Sequence, residues 1–116
     1  MTKTIHPRRI AREAVLQALY ASAMTGEDRA KILKDILNRR SYESNIIKYI
    51  TDLFESAMDN KEWCEGQIKS RLNNWEFDRV ALLDRLLLIV AISEIYFIED
   101  VPPKVSISEA IEIAKT

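Results

Sequence analysis

Glycine and proline are scarce in this chain, with two and three residues respectively among 116. Few turns can therefore be built from the usual turn residues, which favours long helices joined by short connections. Histidine and cysteine are scarcer still, at one each. That excludes an internal disulfide, a Cys/His nucleophile pair and any metal cluster built from several His or Cys ligands. A lone Cys64 fits a reducing cytosol, and it reads as a small packing residue because nothing nearby in sequence would activate it. There is no Gly-rich phosphate loop, no G-x-S-x-G and no H-E-x-x-H. Glu62 with Glu65, and Glu109 with Glu112, have the i, i+3 spacing of a solvated helix face. No catalytic residue, metal site or cofactor is expected. Long apolar runs are missing too: LLLIVAI (86–92) is too short to span a bilayer, and Ser93 and Glu94 end it. Charged residues interrupt the early apolar positions, so there is no signal-peptide core. The expectation is a soluble, cytoplasmic binding protein.

What is present is a globular balance, 47% apolar against 30% charged, in a length that suits one domain over residues 1–116. Apolar spacing predicts an all-α bundle of about six helices. The first runs from Pro7, whose fixed φ suits a first helical turn, to about Met24. It is apolar nearly all round, which predicts a central position. The second reaches about Arg40 with Ile32, Ile36, Leu33 and Leu37 at i, i+4. The third starts between Ser41 and Ser44 and carries Ile46, Ile47, Ile50, Phe54 and Met58. The fourth follows a break at Asp59-Asn60 and uses Trp63, Ile68 and Leu72. A long fifth helix is expected from about Phe77 to Phe97, with Trp75 before it as a packing residue. Pro102-Pro103 then forces a stop. Ser106-x-x-Glu109 is a capping box opening a last helix.

Charge is distributed unevenly. Residues 1–24 hold Lys3, Arg8, Arg9 and Arg12 against Glu13 alone, a net of +3, so the remainder carries −4 to give the overall −1. Arg8 and Arg12 are i, i+4 neighbours and Arg9 and Arg12 are i, i+3, so one helix surface can present all three. Guanidinium groups at a helix N-terminus suit the phosphates and unstacked bases of a short single-stranded RNA. The competing reading is that these arginines pair with Glu13 and with acids of other helices.

Three segments, RRIAREAVLQALY (8–20), NNWEFDRVALLDRLLLIVAISEI (73–95) and DVPPKVSISEAIEIAK (100–115), resemble in order and spacing the NusB family of bacterial transcription antitermination factors. The resemblance implies an all-helical bundle. It also implies binding of the boxA element of nascent ribosomal-RNA leader transcripts, together with the ribosomal protein NusE, within an antitermination complex on RNA polymerase. Carried over by position, it makes Arg8, Arg9 and Arg12 RNA-binding residues, with Lys104 of the PPKV turn beside them. Tyr20, ending QALY, and Asp84, in LLDR, fall at positions associated with NusE.

The chain departs from the family in two places. Ile89 stands where members usually carry an arginine, so either a buried pairing or a surface charge is lost. The family also continues past the AIEIAK-like segment into a loop and a final helix, which implies a truncated form or one completed by self-association as a homodimer. Two other readings stand beside the first. One is a NusB-like auxiliary domain of a ribosomal-RNA cytosine methyltransferase; the other is a helical protein-interaction module without RNA binding.

Overall fold

Pro7 opens the first helix, as its ring predisposes it to do. The computed structural model describes residues 7–71 and 81–98, and among them the secondary structure is helical throughout, with no strand. The helices are α1 (Pro7–Thr25), α2 (Arg29–Leu37), α3 (Ser44–Asp59), α4 (Lys61–Arg71) and α5 (Leu82–Phe97). The expected all-α bundle is what forms. The sixth expected helix, from Ser106, lies outside the described residues, as do Trp75, Leu72 and Lys104.

α1 is the central element, packed on α2, α3 and α5. Its buried positions are mostly small, Ala11, Ala14, Val15, Ala18 and Leu19, and small side chains let neighbouring helices approach closely. The helix stops at Gly26, whose φ of 67° is the left-handed conformation that a side chain resists. There the Gly26 N–H donates to the Ser22 carbonyl at 3.0 Å. The Thr25 hydroxyl donates to the Ala21 carbonyl at 2.7 Å.

α2 buries Ile32 and Ile36 and ends at Leu37, with Asn38 as its C-cap. It is shorter than the sequence suggested, because residues 38–40 turn away and Arg40 leaves the helix to lie over the Tyr42 ring. α3 buries one stripe of Ile46, Ile50, Leu53, Phe54 and Ala57. Each fully buried aliphatic or aromatic side chain of that kind contributes about 1.5–3 kcal/mol. Ile47 falls outside the stripe and is exposed.

The break between α3 and α4 occurs at Asn60, as expected. Its side-chain amide donates to the Ser56 carbonyl at 2.9 Å, while the Asn60 carbonyl accepts from the Cys64 N–H. α4 turns Cys64 and Ile68 inward at i, i+4 and leaves Trp63 exposed. The reading of Trp63 as one of the helix's core contacts is thereby corrected. Cys64 is a packing residue: it is fully buried, and its Sγ lies 3.9 Å from the Ser93 Oγ. Burial pushes its thiol above its ordinary range.

α5 runs over Leu82–Phe97 with an extended Ala81 (φ −55°, ψ 141°) as its N-cap, and the expected start at Phe77 lies outside the described residues. Leu86, Leu87, Ile89, Val90 and Ala91 are buried against α1, α3 and α4. Ile89 therefore occupies a core position. The departure from the family's arginine concerns an interior site, where an isoleucine needs no partner for a charge.

Candidate nucleic-acid interface

The three arginines of α1 do not share one surface. Arg8 and Arg9 are half-buried at the helix start. Arg12 is in the core, with only 2% of its surface exposed. The helical spacing explains this separation. Arg12 lies three and seven residues before Val15 and Leu19, which are both buried, so it projects toward the interior with them. The expectation that one exposed helix face would carry all three is corrected on that ground.

Inside, Arg12 meets a carboxylate. Its Nε stands 2.8 Å from Glu94 Oε1 and 2.7 Å from Oε2. The side chains in this pair are 2% and 1% exposed. Tyr49 of α3 completes the cluster by donating its hydroxyl to Glu94 Oε2. Burial, reinforced by the bond to Glu94, pushes the Tyr49 phenol well above its ordinary range, so it stays a neutral donor. One cluster thus ties α1, α3 and α5 together through a charge pair and a phenol. An ion in the interior is tolerated only when it is paired and hydrogen-bonded in this way.

Arg8 sits above this cluster. Its guanidinium carbon is 4.9 Å from the centroid of the Tyr49 ring, a cation–π contact. Tyr49 therefore holds Glu94 with its hydroxyl and Arg8 with its ring face. The result is a layered helix start, with Arg12 anchored below and Arg8 and Arg9 at the rim. The free N–H groups of the first helical turn add positive partial charge there.

Glu94 and Tyr49 did not stand out as site residues in the sequence. A signal was nonetheless present for Glu94, a lone acid in VAISEIYF set i, i+4 from Val90, where a solvated residue has no place. Tyr49 gave no comparable sign.

The two positions expected to meet a protein partner are both on the surface: Tyr20 is 41% exposed and Asp84 is exposed near the start of α5. Along the helices, Tyr20 lies about 12 Å beyond Arg12 and Asp84 about 15 Å before Glu94, at 1.5 Å per residue. They are thus well removed from the Arg12–Glu94 junction. Lys104 lies outside the described residues.

The model of the NusB family matches residues 9–116. The chain belongs to the NusB family. A transcription antitermination protein NusB of Bacillus mycoides is 38% identical over 109 residues, 94% of this chain and 82% of the relative. Among solved structures, NusB of T. maritima superposes with a TM-score of 0.85 at 33% identity, covering 97% of this chain and 79% of the other. A chain in the crystal structure of a plectonemic RNA supercoil also has a TM-score of 0.85, covering 96% of this chain and 81% of that one. At 20% identity this likeness shows the fold alone. The start of α1 thus has its first two arginines half-buried at the rim and its third in the core. No group of three His, Cys, Asp or Glu among the described residues could hold a metal ion. No helix among them is long and apolar enough to cross a membrane.

Proposed function

We propose that this chain is a transcription antitermination factor that binds single-stranded boxA RNA of ribosomal-RNA leader transcripts jointly with NusE, and so joins the antitermination complex on RNA polymerase. The observation that carries the reading is the start of α1 in a NusB-family chain: Arg8 and Arg9 at the rim, above an Arg12 that fixes the helix in place. Arg8 and Arg9 provide guanidinium forks for phosphates and planes for bases. Arg12 acts as a positioning residue through Glu94, and Lys104 is a further phosphate contact. Tyr20 and Asp84 form part of a separate surface for NusE. The work is recognition, with no bond made or broken.

Fluorescence anisotropy with a boxA-like RNA, with and without NusE, over a series of salt concentrations tests this. The expected result is weak binding alone and tighter binding with NusE. Each phosphate contact removed should lower the salt slope by about 0.7 on single-stranded RNA. An Arg8→Ala/Arg9→Ala variant should therefore bind more weakly and with a shallower slope. Wild-type affinity in that variant would remove the helix start from the mechanism.

A further inference from the structure

Three aromatic rings stand together on the surface where α4 meets the end of α5. Trp63 lies edge-to-face against Tyr96, at 5.1 Å between centroids and 78° between planes. It meets Phe97 in the same manner at 5.7 Å and 73°. The three are 43%, 59% and 38% exposed, far more than large aromatic residues usually are. Helical geometry explains the grouping. Ser93, Tyr96 and Phe97 share the side of α5 that faces α4, where Ser93 meets Cys64, and Trp63 is the neighbour of Cys64. The core contact is made by Cys64 and Ser93, and the rings are left at its outer edge.

This cluster belongs to the same end of the bundle as the arginines. Arg8 covers the ring of Tyr49, Tyr49 donates to Glu94, and Glu94 precedes Phe97 by about one helical turn on α5. Along the axis of α5 the rings therefore lie at the level of the junction over which Arg8 sits. We infer that Trp63, Tyr96 and Phe97 form a stacking platform for unpaired bases of the single-stranded RNA whose phosphates the start of α1 engages. This inference rests on the RNA-binding reading above and extends it to a second set of residues.

Chemistry and size favour this occupant over a protein. Edge-to-face packing leaves ring faces open, and every base has a π-face to place on them. On α4, Lys61, Lys69 and Arg71 are largely offset by Glu62 and Glu65, a net of +1, so most of the attraction for phosphate is left to the arginines of α1 and the rings supply stacking. The three side chains together expose on the order of 300 Å². That is enough for one or two bases and well short of the roughly 800 Å² that each partner buries in a standard protein interface.

The test uses the full chain and a labelled boxA-like single-stranded RNA, lengthened stepwise from a short oligomer. Trp63→Ala should weaken binding of the longer RNA about tenfold, the effect of losing one stacked base, and leave the salt slope unchanged. Trp63→Phe should restore most of the affinity. In a Trp75→Phe background Trp63 is the only remaining tryptophan, and its fluorescence should be quenched by the longer RNA. Tyr96→Ser gives a second variant at the most exposed ring, should Trp63→Ala prove unstable in a thermal melt. If Arg8→Ala/Arg9→Ala weakens binding while both ring variants bind as wild type and Trp63 is not quenched, the platform is wrong and the RNA reading stands. If the wild-type chain binds no RNA with or without NusE, both are wrong. Ring variants that leave RNA affinity intact but weaken NusE binding overturn the platform in favour of a protein contact.

Discussion

Arg12 and Arg29 each grip carboxylates on a neighbouring helix, and the two sites differ mainly in how much water surrounds them. Arg12 meets Glu94 with both side chains almost wholly buried. Arg29, at the start of α2, reaches Glu55 at 3.0 Å and Asp59 at 2.6 Å on α3 with its side chain 37% exposed. The hydrogen bonds to Asp59 and then Glu55 hold the Arg29 guanidinium above its ordinary range. The distances are similar, yet the energetic consequences are not. At the surface, water solvates either partner if the other is lost, whereas in the core the survivor is left as an unpaired buried charge. Geometry alone would rank the two sites as equals; burial separates them.

The largest expected effect comes from breaking the inner pair. Glu94→Ala should destabilise the fold by about 3–5 kcal/mol, the range for removing one partner of a buried ion pair. Urea unfolding followed by circular dichroism would read this as a lower midpoint. Replacing both partners, as Arg12→Met with Glu94→Leu, should recover part of that loss, because no charge is stranded although the Tyr49 hydroxyl still loses its acceptor. If the double variant is as unstable as the single one, the pair matters for more than charge balance.

Tyr49→Phe sharpens the comparison by removing one hydroxyl and keeping the ring beneath Arg8. A hydrogen bond to a charged group is worth about 1.5–3 kcal/mol, and a loss of that order is expected at neutral pH. The pH dependence has a definite sign. The folded pKa of Tyr49 is raised above its ordinary value of 10.0, so the folded state holds the phenolic proton more tightly than the unfolded chain does. The contribution is therefore fully present below about pH 10 and is lost as pH rises through the folded value. Wild-type stability should fall along the alkaline limb, and Tyr49→Phe should flatten that fall. Unfolding midpoints measured across the alkaline range would show it.

Arg8→Ala/Arg9→Ala should change stability by about 1 kcal/mol, since a half-buried cation–π contact falls between the about 0.5–1 kcal/mol of an exposed one and the about 2 kcal/mol of a desolvated one. Its effect should appear in RNA affinity. A thermal melt close to wild type, together with a shallower salt slope, would separate the rim of the helix start from its anchor.

The sequence disclosed much of this arrangement, and its blind spots have physical causes. The apolar circumference of α1 made it central, Asn60 marked the α3–α4 break, and the spacing of α3 identified most of its core stripe. The arginines of α1 were visible as a charge cluster. Their division into rim and core was not visible, because it depends on where Glu94 lies, eighty-two positions away along the chain. Periodicity within one helix records which residues share a face, and it does not name the partner opposite. Trp63 misled for the same reason: grouped with Ile68 and Leu72 as the apolar residues of the fourth helix it suggested a core role, but Cys64 held the inward position on α4.

The smallest effect is expected at Arg29. Arg29→Ala should cost at most about 1 kcal/mol, the range measured for exposed ion pairs. Its dependence on ionic strength distinguishes it further. The exposed contacts of Arg29 are screened by salt while the buried pair of Arg12 is screened far less, so the destabilisation caused by Arg29→Ala should shrink as salt rises and that of Glu94→Ala should persist. Urea unfolding of both variants at low and high salt checks this. A loss at Arg29 as large and as salt-independent as that at Glu94 would mean that the α2–α3 contact shields its charges as effectively as the core does. Burial would then not be what separates the two sites.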